Sequence, residues 1–360
     1  MIKLPAWAEF GVIPLINLAL AFSLAGIVVA LLGENPFAVM KAMIQGAFVD
    51  DGALGYTLFY ATSLIFTGLA VAVAFQARLF NIGGEGQAYI GGLGALLVVL
   101  TVGSSLPGIL SIPLAIIGAA AFGAFWAFLP GWLQAYRGSH VVITTIMFNF
   151  IASGLMVALL GGPLMRPGQP NPESALIPDS ARLPFIHEIA QALGLQATRS
   201  PLNLAFPLAL IACLVVWALI WRTRWGYVLR AMGESEDAAV YAGIKVRPMI
   251  VSAMALSGTL AGLMAINVIL GAQGKVTLNF PAGFGVTGIA VALMGRSHPV
   301  GILLAALLFG ALVQGGTELD FEFQTITRET VLLIQGLIIL FSGALSLMFV
   351  PLLSRVLGRR

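Results

Sequence analysis

Long apolar runs recur along the whole chain of 360 residues. A run of about 20 apolar residues is the length that an α-helix needs to cross the hydrocarbon layer of a membrane. The alternating pattern of a membrane β-barrel is absent, so the runs predict helices. Hydrophobic residues make up 59% of the chain and charged residues only 9%, which excludes an ordinary soluble domain.

The positions of these runs predict ten membrane-spanning helices. They lie at 10–32, 54–75, 86–103, 109–129, 141–160, 202–221, 249–271, 284–295, 299–315 and 329–350. One run, 284–295, is too short to cross alone, so eight to ten crossings are expected. The predicted fold class is therefore an all-α polytopic membrane protein. We expect residues 1–360 to form a single transmembrane domain, with a first half at about 1–201 and a second half at about 202–360.

A weak internal repeat suggests how the two halves are related. Residues 81–95 resemble residues 281–295, and residues 150–154 resemble 339–343. Five spans, an odd number, separate the copies, so the halves would run in opposite directions as a 5+5 inverted repeat. Such repeats are common in transporters, and glycine-interrupted spans at matching positions mark the path. Chance similarity between glycine-rich helices is the alternative.

The basic residues predict the orientation of the chain. With both termini in the cytoplasm, 12 of the 18 Lys and Arg residues fall on the inner side, as the positive-inside rule requires. The first run is longer than the apolar part of a secretory signal, so we expect it to be retained. Tryptophans gather at the inner ends of the spans, where an aromatic belt is expected. They are Trp126, Trp132, Trp217, Trp221 and Trp225.

The most polar segment between two spans is 222–247, on the predicted cytoplasmic side. Within it, Ser235 is a helix N-cap, Glu236 and Asp237 fall in the first turn, and Gly243 is a stop signal. A short capped helix on this side is a surface that a soluble protein can bind. The candidate coupling residues are Glu234, Ser235, Glu236, Asp237, Ala238, Ala239 and Gly243.

A few polar residues lie near membrane depth and are candidates for lining a path. Glu85 opens the third span, and a structural cap at the cytoplasmic surface is the alternative role. Thr145, Asn149 and Ser153 recur every four residues and share one face; this face can line a path or hydrogen-bond a neighbouring helix. The full set of path candidates is Asn81, Glu85, Gln87, Thr145, Phe148, Asn149 and Asn267.

The sequence lacks the motifs of catalysis. It has no G-x-x-x-x-G-K-[ST] loop, no paired carboxylates deep in a span, and no histidines at metal-ligand spacing. We therefore predict no catalytic residue, no metal site and no cofactor bound by this chain. The loop at 161–201 is long and rich in proline, with a short surface helix expected at 185–195. It is either a lid or docking surface for an outer partner, or a plain connector.

Four motifs resemble the permease subunits of bacterial ABC importers for simple sugars and nucleosides, in the branched-chain amino acid and ribose permease superfamily. They are Phe80-Asn-Ile-Gly-Gly-Glu-Gly-Gln87, the segment from His140 to Asn149, the segment from Leu229 to Ile244, and Gly288–Gly295 followed by Pro299. The form of the first motif resembles the nucleoside branch more than the ribose branch. Val240 departs from the pattern, where a basic residue is expected before Tyr241.

The resemblance implies a multi-pass permease of a bacterial inner membrane, with a fold similar to the vitamin B12-type importers. It implies a cytoplasmic ABC ATPase that carries ATP and Mg²⁺, a second permease that is identical or homologous, and an outer solute-binding protein. The lipid bilayer surrounds the chain and no nucleic acid is expected. Transport would proceed inward by alternating access. A secondary transporter or channel is the alternative, and a membrane transferase using Asp50 and Asp51 is a weaker one.

Overall fold

A computed structural model describes residues 13–344 of the chain, except 104, 324 and 327. All regular structure in these residues is helical, apart from isolated β-bridges in the loops. The helices in chain order are α1 (Ile13–Leu31), α2 (Pro36–Phe48), α3 (Ala53–Phe75), α4 (Gly84–Val98), α5 (Gly108–Arg137), α6 (Val141–Leu160), α7 (Ile186–Ala192), α8 (Ala205–Arg222), α9 (Arg224–Glu234), α10 (Glu236–Tyr241), α11 (Val246–Ile266), α12 (Phe284–Met294), α13 (Pro299–Glu322) and α14 (Arg328–Ala344).

Each of the ten predicted spans coincides with a helix, which confirms the all-helical fold class. Among the described residues, seven helices are long and apolar enough to cross a membrane, or up to eight if α1 and α2 form one bent span. Helix α12 is apolar but short, as expected for 284–295. The end of the tenth predicted span lies outside the described residues, and so do Lys3, Arg355, Arg359 and Arg360.

Helix α2 was not predicted, because its apolar stretch is short. The chain bends by 117° between α1 and α2. Asn35 caps α2 by accepting a hydrogen bond from the Phe37 N–H at 2.9 Å, and Pro36 fits the first turn because it needs no amide partner there. Both helices belong to a compact unit made of the described residues up to 57 and from 308 onward. In it, α2 packs on the second half of α13, where Gly46 lies directly against the Glu318 side chain.

Residues 58–307 form the second compact unit, and its centre is the packing of α4, α5 and α11. These three helices approach at glycines whose backbones touch: Gly91 against Gly262, Gly94 against Gly118, and Gly123 against Gly258. Small residues allow such close approach between helices in lipid. We call these six glycines the glycine seam. The helices α4 and α11 both continue into short π-helical turns, at Val99–Gly103 and Asn267–Gln273.

The loop at 161–201 is held against the segment between α11 and α12. Backbone hydrogen bonds join Ser174 to Val276 at 2.9 Å and Ile177 to Gly274 at 2.8 Å. The side chains of Glu173 and Lys275 form an ion pair at 2.5 Å, with the Glu173 side chain only 10% exposed. The proline-rich part is non-helical and α7 lies within the predicted 185–195, so both local predictions are confirmed.

Replacing Gly258 with Ala tests the glycine seam. The new Cβ would collide with the backbone oxygen of Gly123 and with the Ala127 side chain, so we expect the free energy of unfolding to fall by about 1–3 kcal/mol. Thermal unfolding of the purified protein in detergent measures this. Gly154→Ala is the matched control, because nothing lies within 4 Å of its added Cβ. Equal unfolding midpoints for the two variants would contradict the proposed contribution of the glycine seam to stability.

Candidate functional site

The chain between α3 and α4 carries a closed network of polar side chains. Asn81 pairs with Gln87 through two amide hydrogen bonds, at 2.9 and 3.0 Å. The Asn81 amide also donates to Ser257 Oγ at 2.8 Å, and Ser257 donates to the Ala70 carbonyl of α3 at 2.6 Å. All three polar side chains are buried. This network ties the start of α4 to α3 and α11.

The polar stripe on α6 faces the same segment. The Asn149 amide donates to the Ile82 carbonyl at 2.9 Å and its oxygen accepts from the Gly86 N–H at 2.8 Å. Thr145 Oγ1 accepts from the Ile82 N–H at 3.3 Å. These side chains therefore satisfy backbone groups of the non-helical turn before α4, which have no partner within a helix.

Glu85 joins the two members of the predicted repeat. Its two carboxylate oxygens accept from the Gly283 and Gly285 N–H groups, both at 2.8 Å. These donors are free because they begin α12, and the positive end of the helix dipole favours a carboxylate there. Glu85 itself lies in the first turn of α4, so two helix N-termini meet at one negative charge. Gly84 and Gly285 lie in direct contact at this crossing.

Phe148 and Asn267 complete the predicted path candidates. Phe148 packs edge-on against Trp126 with ring centroids 5.3 Å apart, and the Trp126 indole N–H donates to the Phe148 carbonyl at 3.2 Å. Asn267 is fully buried and belongs to another set of contacts, bonding to Ser63 Oγ and the Phe59 carbonyl, both at 2.9 Å. The path candidates other than Asn267 thus lie together around the start of α4. Asn267 lies apart from them and is hydrogen-bonded to Phe59 and Ser63 of α3.

Two residues of this region were missed by the sequence analysis. Ser257 lies in the apolar run of α11, where a lone serine gives no pattern. Asn279 adopts a left-handed backbone conformation at φ +57° and hydrogen-bonds to the Tyr89 hydroxyl. The sequence did contain a hint of this role for Asn279, because it precedes a glycine-rich segment and asparagine tolerates the left-handed conformation.

The predicted cytoplasmic segment forms two short helices, α9 and α10. Thr223 caps α9 by accepting from the Gly226 N–H at 3.2 Å. Ser235 caps α10 by accepting from the Ala238 N–H at 3.3 Å, as predicted. Gly243 ends α10 at φ +81°. The Gly243 and Ile244 amides return to the Val240 and Ala239 carbonyls, which is the Schellman arrangement of a helix end.

One face of α10 is exposed and the other is anchored. Glu234, Ser235, Glu236, Asp237, Ala238 and Gly243 are all exposed, whereas Ala239 is buried. Ala239 packs in an apolar cluster with Leu229 and Met232 of α9 and Met249 of α11. On the open side, Tyr241 is 97% exposed and Val240 is 58% exposed. An acidic and partly apolar surface is therefore fixed to the helices beneath it.

The glycine Gly233 brings α9 against the end of α3. A Cβ at Gly233 would overlap the carbonyl oxygen of Gln76, so only a glycine lets the two backbones approach this closely. The Gln76 side chain in turn donates to the Ser297 carbonyl beyond α12 at 3.3 Å. The segment with α10 is thus packed on the ends of two membrane helices.

Among the described residues, no three His, Cys, Asp or Glu side chains are grouped to hold a metal. The helices, the intramembrane polar network and the exposed capped helix together define a polytopic membrane transport component. The chain belongs to the family described as "Branched-chain amino acid transport system / permease component", which matches residues 53–343. This confirms the predicted permease family.

Curated relatives match over most of their length. The guanosine ABC transporter permease protein NupP of Bacillus subtilis is 34% identical over 91% of this chain and 92% of its own. The nucleoside permease protein NupB of Lactococcus lactis subsp. cremoris is 33% identical over 91% and 89%. The glucose permease protein TsgB13 of Haloferax volcanii is 32% identical over 94% and 88%. A solved metal-chelate type ABC transporter covers 98% of this chain at 15% identity and a TM-score of 0.41, which is too low to support an argument.

Replacing Glu85 with Gln tests the contact between α4 and α12. One of the two glycine N–H groups would then face an amide NH₂ instead of an acceptor, at a cost of about 1–3 kcal/mol. We expect a lower unfolding midpoint in detergent and slower uptake in reconstituted vesicles. Asp51→Asn, at an exposed position in the turn before α3, is the control. Wild-type stability together with wild-type uptake in Glu85→Gln would contradict this role.

Proposed function

We propose that this chain is the permease subunit of an ATP-driven ABC importer that moves nucleosides inward by alternating access. The observation that carries the proposal is α10, an exposed acidic helix whose buried residue Ala239 packs with residues of α9 and α11. The chain has no nucleotide-binding loop of its own. A rigid exposed helix supplies what a separate ATPase needs to move the membrane helices.

The proposed partners each have a surface on the chain. A cytoplasmic ABC ATPase, carrying ATP and Mg²⁺, binds the exposed coupling residues Glu234, Ser235, Glu236, Asp237, Ala238 and Gly243, while the buried Ala239 anchors α10 beneath them. Tyr241 adds an exposed aromatic ring to this surface, and such rings are common anchors of protein interfaces. An outer solute-binding protein docks on the loop at 161–201, which the Glu173–Lys275 ion pair holds in place. A second permease, identical or homologous, completes the path.

This arrangement places the chain in a bacterial inner membrane with both termini in the cytoplasm. The orientation follows from the excess of Lys and Arg around the segment 222–247. The chain itself binds no cofactor in this proposal. Its single transmembrane domain contributes half of a path shared with the second permease.

The polar residues around α4 shape the path in this proposal. Asn81, Glu85, Gln87, Thr145 and Asn149 hold the start of α4 against its neighbours. Alternating access requires an element with two arrangements, and a segment held by side-chain hydrogen bonds can exchange its partners. Phe148 adds an aromatic face on which a nucleobase can stack, and Asn267 fixes the far end of α11.

Nucleosides are the first substrate class and simple sugars the second. Relatives named for guanosine and nucleosides support the first class, and a relative named for glucose supports the second. The Asn-Ile-Gly-Gly-Glu-Gly-Gln form of residues 81–87 agrees with the nucleoside branch.

The charge-reversal variant Glu236→Lys with Asp237→Lys tests the coupling helix. Both side chains are exposed, so folding and insertion should be preserved while binding of the ATPase is lost. We expect uptake at background level and no co-purification of the co-encoded ATPase. Asp51→Lys is the matched control, an exposed acidic residue in the turn before α3. Normal ATP-dependent uptake by the double variant would discard the docking role.

Thiol labelling tests independently on which side of the membrane α10 lies. Cys213 is the single cysteine and is buried, so Asp237→Cys in a Cys213→Ala background offers one exposed thiol. A membrane-impermeant maleimide should label it only after the cells are permeabilised. Thr198→Cys in the outer loop should react in intact cells. The reverse pattern would overturn the orientation and the importer with it.

Substrate competition tests the transported class. In vesicles with the complete transporter, unlabelled nucleosides should inhibit uptake of labelled guanosine at micromolar concentration. Glucose should not inhibit at a hundredfold excess. Uptake of labelled glucose, with no uptake of labelled guanosine, would replace the first substrate class with the second.

A further inference from the structure

A cavity of about 900 Å³ lies beside the coupling helix, and apart from Glu234 none of its lining residues has a role in the proposed transport cycle. It opens between the end of α3, helix α9 and the end of α12. Three arginines line it: Arg78, Arg230 and Arg296. The one acidic residue in its wall is Glu234. These residues are far apart in sequence, and the fold brings their guanidinium groups to one place.

Two of the three arginines occupy unfavourable backbone conformations. Arg78 has φ +55° and Arg296 has φ +51°, in the left-handed region. Both follow helix ends, a position where glycine adopts this conformation without strain. A long charged side chain at such a position is a reason to look for a function. Arg78 and Arg296 both line this cavity.

The positive charges of Arg78 and Arg230 are only partly balanced. Glu234 Oε2 lies 3.8 Å from Arg78 Nη2. The Glu234 side chain is 87% exposed and the Arg78 side chain 72% exposed, and exposed ion pairs are weak. Arg230 has a buried Nε with no hydrogen-bond partner. A buried donor without an acceptor is unfavourable, so an anion in the cavity would favour reorientation of the Arg230 side chain toward it.

The wall also contains exposed apolar side chains. Phe75, Tyr227 and Leu293 line the cavity and are 40%, 66% and 41% exposed. The end of α8 lies close to this wall, because the Trp221 ring is 5.0 Å from the ring of His298, which follows the lining residue Ser297, and tryptophans concentrate at headgroup level. The cavity therefore offers both cationic and apolar contacts at this depth.

We propose that this cavity binds the phosphate headgroup of an anionic phospholipid. The proposal rests on the orientation given above, which puts the cavity on the cytoplasmic side. Guanidinium groups match phosphate oxygens with paired hydrogen bonds, and basic pockets between membrane helices on that side bind anionic headgroups. The exposed apolar wall favours a lipid over free phosphate, because the acyl chains need such contacts. The bound headgroup braces α9 and, through Glu234, the start of α10.

The test measures lipid retention by the purified full-length permease in detergent, using native mass spectrometry. The probes are phosphatidylglycerol and phosphatidylcholine, added at equal concentration. We expect the protein to retain phosphatidylglycerol selectively. Each arginine removed should weaken retention about fivefold, the effect of one basic residue near an anionic surface. Arg230→Gln keeps a good helix former in α9 and is the first variant.

Arg78→Gly separates a binding role from a structural one. Glycine removes the guanidinium and relieves the backbone at φ +55°, so the unfolding midpoint in lipid-free detergent should hold or rise while lipid retention falls. Arg224→Gln is the matched control, an exposed arginine of α9 that is not among the cavity residues. It should retain phosphatidylglycerol like the wild type.

Three outcomes would overturn the proposal. The first is equal retention of the two lipids, and the second is a loss with Arg224→Gln as large as with Arg230→Gln. The third is displacement of phosphatidylglycerol by millimolar inorganic phosphate, which would assign the cavity to a free anion. Lipid retention is measured without transport, so a negative result would contradict the lipid site and leave the proposed importer function untouched. Lost uptake in the coupling variants would likewise leave this site unaffected.

Discussion

Backbone contact between glycines is the constraint on which the larger unit depends. Inside a lipid bilayer, apolar side chains gain little by leaving lipid for protein, so helices associate through close packing and hydrogen bonds. The glycine seam supplies that packing for α4, α5 and α11. Because the backbones touch there, the polar start of α4 is held at a fixed distance from α11. The hydrogen bonds between Asn81, Gln87 and Ser257 form only at that distance.

The polar groups around the start of α4 satisfy one another inside the chain. An unpaired polar group in hydrocarbon costs several kcal/mol, and the turn before α4 exposes backbone groups that no helix satisfies. Asn149 and Thr145 supply partners from α6, while Glu85 supplies acceptors to the start of α12. The irregular backbone is therefore tolerated because α6 satisfies its backbone groups, while Gln87 of α4 and Ser257 of α11 hold the Asn81 side chain. A change in any of them alters the position of α4.

The helices were predicted well from hydropathy, because a long run of apolar residues indicates a segment that lies in lipid or in the protein interior. The caps of α10 were predictable for the same reason, because Ser235 and Gly243 act on neighbouring backbone groups. The repeat of 81–95 and 281–295 pointed to regions that the structure brings into contact at Gly84 and Gly285. Contacts between distant residues could not be predicted. The partners of Asn267 and the three arginines of the cavity depend on the helix arrangement, which hydropathy leaves undefined.

Helix α11 connects the two candidate sites. Its first turns carry Met249 in the apolar cluster that holds α9 and α10, its middle carries Ser257 bonded to Asn81, and its end leads to Asn267, bonded to α3. A helix packed along its length moves as a rigid body, because close-packed interiors deform little. In the proposed mechanism, a displacement of α10 would reach the start of α4 through the movement of α11. The cavity beside α9 adjoins the first element of this connection, so a ligand held there would act on the coupling helix before the motion reaches the membrane.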